Sequence, residues 1–167
     1  MTHAYLPDPG TNLDLVLRRD VPVSPGKLWK AWTVPEHVRR WFAPAPWKTV
    51  DCEIDLRPGG VFRTVMRSPE GQDHPNVGCY LEVVENRRLV WTTGLLPGFR
   101  PIASPVRHAG GIVFTAAISL EPHGAGTRYV AHAMHRDAAG CRQHDERGFH
   151  QGWGKALDQL VEVAATF

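Results

Sequence analysis

Nine histidines stand in the 167-residue chain, and His132, His135, His144 and His150 gather towards its C-terminus around Glu146. Imidazoles and a carboxylate together could transfer a proton, and several imidazoles could ligate a metal. The spacing argues against a metal. His132 and His135 are an odd number of residues apart on an alternating stretch, so they point to opposite faces of a strand. His144 and His150 fall on different sides of a helix, and four convergent ligands are not expected. Glu146 lies seven residues before Trp153, on the same helical stripe and in the first turn of the helix that the stripe predicts. There it is either a solvated acid favoured by the helix dipole, or a carboxylate at a pocket mouth that orients a ligand or serves as general base. Asp51, Glu53 and Asp55 share one strand face, most simply the solvated one. Cys52, Cys79 and Cys141 are an odd count without metal-ligand spacing, and the first two sit in apolar strand patterns where a thiol acts as a small hydrophobe. No nucleophile elbow, P-loop, dinucleotide fingerprint or zinc motif is present, so neither a cofactor nor a metal is expected.

The elements that must position these groups can be read from periodicity. Leu13, Leu15 and Leu17 alternate with polar residues as a half-buried strand. Ser24-Pro25 opens a short helix carrying Leu28, Trp29 and Trp32; Thr33-Val34-Pro35-Glu36 has capping-box spacing and opens a second, with Val38, Trp41 and Phe42. Strand patterns follow at 50–56, 61–66, 78–84, 88–93, 112–120 and 127–135, mostly joined by short turns, which predicts an antiparallel meander. Gly94 to Gly111 is a longer Pro/Gly-rich connection. Its Leu95, Leu96 and Phe99 are expected to cap a pocket or to bury in a homodimer contact.

The chain closes on a stripe of Phe149, Trp153, Ala156, Leu157, Leu160 and Ala164, which predicts one helix from about 144 to 165 laid across the sheet. Gly148 and Gly152 edge the stripe, and Gly154 faces away. Missing side chains there, with Ala116 and Ala131 or Ala133 in the sheet, predict open volume beneath the helix; close packing of a neighbouring element is the alternative. Trp41, Phe42, Phe62, Met66, Trp91, Phe114, Phe149 and Trp153 are the expected pocket wall, with Glu146 at its mouth. Such a wall suits a flat hydrophobic molecule.

Composition bounds the rest. The length suits a single domain over residues 1–167, with 1–11 as a flexible leader. A net charge of +2, with Arg39-Arg40 and Arg87-Arg88 the densest basic pairs, provides no concentrated stripe for nucleic acid. No apolar run approaches a membrane span and no signal pattern opens the chain, so a reducing, cytoplasmic location without membrane insertion is expected.

The order strand, two short helices, six strands and long helix resembles the helix-grip fold of the START/SRPBCC superfamily. The blocks VSPGKLWKAWTVPEHVRRWF, DLRPGGVFR, GCYLEVVENRRLVWT and FHQGWGKALDQL resemble, in that order, the activator of heat-shock-protein-90 ATPase-like branch. The resemblance implies an α+β fold, a seven-stranded curved antiparallel sheet wrapped around the C-terminal helix, with an apolar pocket between them. It does not imply one chemistry, because relatives include lipid carriers, polyketide cyclases and hormone receptors. Binding of a small hydrophobic ligand without catalysis ranks first. A polyketide cyclase or aromatase-like enzyme, using Glu146 and a histidine, ranks second. A stress-response module contacting a chaperone ranks last, since the eponymous cochaperones carry a further N-terminal domain with no counterpart here.

Overall fold

The computed structural model describes residues 11–104 and 111–167, so all but the last residue of the expected leader lies outside the described residues. The chain runs β1 (Asp14–Val21), α1 (Pro25–Thr33), α2 (Pro35–Trp41), β2 (Lys48–Ile54), β3 (Val61–Arg67), β4 (Asp73–Val84) and β5 (Arg88–Thr92). A two-residue pair, β6 (Leu95–Leu96) and β7 (Arg100–Pro101), precedes β8 (Phe114–His123), β9 (Gly126–His135), α3 (Ala138–Glu146) and α4 (Phe149–Ala164). The main sheet has seven strands in the order β1-β9-β8-β5-β4-β3-β2, and every neighbouring pair is antiparallel. This is the expected α+β arrangement.

Alternation sets the inner face of the sheet. Phe62 of β3, Tyr80 of β4, Leu89 and Trp91 of β5, Ile118 and Leu120 of β8, and Tyr129 and Ala131 of β9 bury together with Leu28 and Trp32 of α1 and Val38 and Trp41 of α2. From α4, Leu157, Leu160 and Ala164 join the same cluster. Leu15, Ala133, Cys141 and Phe149 form a second one. Ala116, Ala131 and Ala133 are fully buried within these clusters rather than bordering open space.

Three local details differ from expectation. β4 begins at Asp73, five residues early, because the register Val65↔Pro75 is kept although Pro75 lacks a donor. The capping box at α2 does not form: Val34 is the N-cap, and the Thr33 hydroxyl donates back to the Trp29 carbonyl at 2.8 Å. The closing helix is also broken. α3 ends at Glu146, Gly148 takes φ +93°, and α4 starts afresh at Phe149. The left-handed backbone at Gly148 lets the chain reverse there, and a side chain would strain it.

The turn before β3 needs glycine for another reason. A Cβ on Gly60 would lie 1.9 Å from the Asp55 carbonyl oxygen, inside a loop closed by Gly60 N–H donating to Arg57 O at 2.8 Å. Gly60→Ala should therefore cost about 3 kcal/mol or more in urea unfolding. Gly26→Ala in α1, where a Cβ meets only Asn86 Oδ1 at 3.8 Å, should be neutral or stabilise by up to about 1 kcal/mol. Similar effects at the two positions would contradict this account of the turn.

Candidate functional site

α4 makes its backbone approaches to α1, α2, α3 and β1. Between its first half and the strands β3, β5 and β8 lies a cavity of about 510 Å³. Its wall is aromatic. Trp32 meets Trp41 edge-on with centroids 4.6 Å apart, and Trp91 at 5.3 Å. Phe62 bridges Trp91 at 5.1 Å and Phe42 at 5.6 Å. A second group joins Phe149 to Trp153 at 4.7 Å and Phe114 to His144 at 5.0 Å. Contacts of this geometry add about 1 kcal/mol each beyond area burial, so the wall holds its shape.

Eight of the nine expected site residues border this one space: Trp41 and Phe42 at the end of α2, Phe62 and Met66 on one face of β3, Trp91, Phe114, Phe149 and Trp153. Glu146 does not. It is exposed at the end of α3 and borders no part of the cavity. Its placement on the Trp153 stripe assumed continuous helical phase from 146 to 153, and the turn at Gly148 breaks that phase. Gly152 borders the cavity, and a Cβ there would meet only Pro44 Cγ at 4.0 Å. Gly154 faces elsewhere but is buried, beneath the Arg19 guanidinium.

The described first part of the long connection before β8 covers a turn instead of the cavity. Leu95 pairs with Pro101 and Leu96 with Arg100, and Gly98 N–H donates to Gly59 O at 2.8 Å. Phe99 lies over Gly59 and stays 51% exposed. None of Leu95, Leu96 and Phe99 borders the cavity. Residues 105–110 of this connection lie outside the described residues.

Thr64, His74, Asn76, Thr93, Tyr129, His144 and Arg147 supply the polar side chains of the cavity lining. Trp32 Nε1 is buried without a hydrogen-bond partner; it approaches the Tyr129 hydroxyl but falls short of hydrogen-bond geometry. Burial pushes the Tyr129 hydroxyl up, so it stays a neutral phenol. His144 Nδ1 stands 2.8 Å from His135 Nε2, and His135 Nδ1 donates to the Leu13 carbonyl at 2.9 Å. Among the described residues no third His, Cys, Asp or Glu joins them as a metal-binding group. Cys52 and Cys141 are poor nucleophiles, since burial pushes the first up to about 12 and the second upward as well.

Sequence reasoning weighed His144 only as a metal ligand or proton carrier and did not place it, Trp32 or Tyr129 on the cavity wall. For Tyr129 a signal existed, because it shares the parity of Ala131, Ala133 and His135 along β9. The His135–His144 pair had none in simple periodicity. It depends on α3 starting at Ala138 under its Asp137 cap, whose carboxylate accepts from Gly140 N–H at 2.7 Å. On the opposite face of β3 a more open groove of about 910 Å³ carries Arg63, Arg67, Arg39, Arg40 and Lys48. Arg63 pairs there with Asp51 at 2.7 Å and Arg67 with Asp73 at 2.6 Å. That groove is charged and suits no apolar molecule. Among the described residues no helix is long and apolar enough to cross a membrane.

Burial holds His144 down at about 4 against an ordinary 6.5; His135 and Arg147 push the same way and Asp145 opposes. An unfolded chain takes up this proton near pH 6.5, whereas the folded chain does so only near pH 4. The contribution is thus whole above pH 6.5, declines as pH falls through that window and levels off below it. Partial exposure of the ring reduces the effect to about 1.5 kcal/mol. Urea unfolding at about pH 7 and about pH 4.5 should show His144→Phe losing less stability than the parent by roughly that amount. Equal losses would contradict the burial of this ring.

Comparison with known proteins agrees with the fold. The family model described as Activator of Hsp90 ATPase homolog 1-like protein matches residues 22–165. A crystal structure of a protein from Nitrosomonas europaea is 45% identical, with TM-score 0.85, covering 92% of this chain and 95% of that one. A Rhodobacter sphaeroides protein, 20% identical, shares the fold with TM-score 0.78 over 96% of this chain and 97% of that one. An Activator-of-Hsp90-ATPase-like protein from Aeromonas hydrophila, 17% identical, does so with TM-score 0.66 over 92% and 93%. A search of the curated proteins finds no match. The chain belongs to the Activator of Hsp90 ATPase homolog 1-like family.

Proposed function

We propose that the protein binds a flat, apolar small molecule in the cavity between α4 and the sheet, without catalysing a reaction on it. One observation carries this reading: about 510 Å³ of space is walled mainly by aromatic rings from α1, α2, β3, β5, β8 and α4, and the polar side chains among them are Thr64, His74, Asn76, Thr93, Tyr129, His144 and Arg147. Removing roughly 300 Å² of ligand surface from water there is worth roughly 7 kcal/mol before association costs. An acid–base mechanism through Glu146 is not favoured, because that carboxylate stands outside the cavity. A ring held at about 4 is also a weak general base at neutral pH.

The test is occupancy of the space beside Gly152. The fluorescent probe 1-aminoanthracene should bind the wild-type protein with an emission increase. Gly152→Leu sends a side chain into the cavity from a half-buried helical position that tolerates a Cβ. It should weaken probe binding about tenfold or more while the melting temperature stays the same or rises, since leucine is the better helix former. Unaltered probe affinity in this variant, or no binding by the parent, would defeat the proposal.

A further inference from the structure

The two histidines define a direction of proton donation that ends at the cavity. The Leu13 carbonyl oxygen accepts two hydrogen bonds from His135, from its backbone N–H at 2.9 Å and from Nδ1 at 2.9 Å. A carbonyl oxygen only accepts, so Nδ1 of His135 carries a hydrogen. With both rings neutral, Nε2 of His135 is then a lone pair, and the contact at 2.8 Å requires His144 Nδ1 to be the donor. Nε2 of His144 is left as an unprotonated acceptor.

That nitrogen belongs to a ring bordering the cavity, packed at 5.0 Å from Phe114, 5.2 Å from Phe149 and 6.1 Å from Trp153. Arg147 borders the same cavity. The charged and titratable groups near the ring are His135 on β9, Asp145 on α3 and Arg147 just beyond it. Burial keeps the ring neutral down to about pH 4, so the acceptor persists through the physiological range. An acceptor in an aromatic pocket discriminates strongly between ligands that carry a donor and those that do not.

We propose that the cavity selects an aromatic ligand bearing a phenolic or enolic hydroxyl, which donates its hydrogen bond to Nε2 of His144. This rests on the reading of the cavity as a ligand site and names its ligand class. An O-methylated analogue has no hydrogen to give to this nitrogen. His135 is a positioning residue, acting through the tautomer it imposes.

Displacement of 1-aminoanthracene by 2-naphthol and by 2-methoxynaphthalene tests the inference. The preference for naphthol over its methyl ether should be about fivefold or more greater in the wild-type protein than in His144→Phe. Imidazole nitrogen NMR of the wild-type protein provides a readout that needs no variant. His144 should show a protonated Nδ1 and a bare Nε2, whose resonance moves upfield with 2-naphthol and stays put with the ether. Equal preference in the two proteins, or a proton on Nε2 of His144 in the free protein, overturns this inference while probe binding still supports the cavity. Failure of the probe to bind the wild-type protein overturns both.

Discussion

Gln159 spends its whole side-chain amide on one task. Nε2 donates to the carbonyls of Trp41 at 2.8 Å and Ala43 at 2.9 Å, and Oε1 accepts from Ala45 N–H at 2.9 Å. At about 1 kcal/mol each, three such bonds fasten the middle of α4 to the segment leaving α2. On another side Asp158 pairs with Arg19 of β1. α4 is thereby held by its flanks, and its second half packs Leu157, Leu160 and Ala164 into the core. The first half is left standing over β3, β5 and β8. Trp153 and Gly152 face that gap, and Trp91 and Phe62 close it from below. The cavity follows from where the helix is tied.

Gly148 sets which side chain of this stretch borders the cavity. By reversing the chain it separates α3 from α4, so α3 takes its own direction with Cys141 buried beside Leu15 and Ala133. That direction turns His144 inward against Phe114 and carries Glu146 out to solvent. One glycine therefore exchanges an expected carboxylate for an imidazole. The exchange matters chemically, because a neutral imidazole desolvates at little cost where a carboxylate would not.

Side-chain alternation makes the sheet legible in the sequence itself. Phe62 and Met66, four apart on β3, and Trp91 on β5 reach the cavity because strand parity leaves them no other face. The stripe of α4 is equally readable from Phe149 onward. Three features resist. Helical phase carries Glu146 onto the stripe because nothing local distinguishes Gly148, at φ +93°, from Gly152, which is helical. Ala116 and Ala133 suggest open volume, yet they are consecutive across the register from Trp91 and let elements approach closely. The His135–His144 contact joins a strand end to a helix, and its existence depends on the angle of the intervening turn. Periodicity within single elements carries no information about such an angle.

The central claim is that the gap beneath the first half of α4 is a ligand site and not a collapsed or water-only void. Intermolecular NOEs between 2-naphthol and the protein measure this most directly. The account predicts cross-peaks from the naphthol ring protons to Trp91, Phe114 and Trp153 together. Cross-peaks confined to Ala45, Val50 and Val65 on the charged outer groove, or none at all at saturating naphthol, would contradict it.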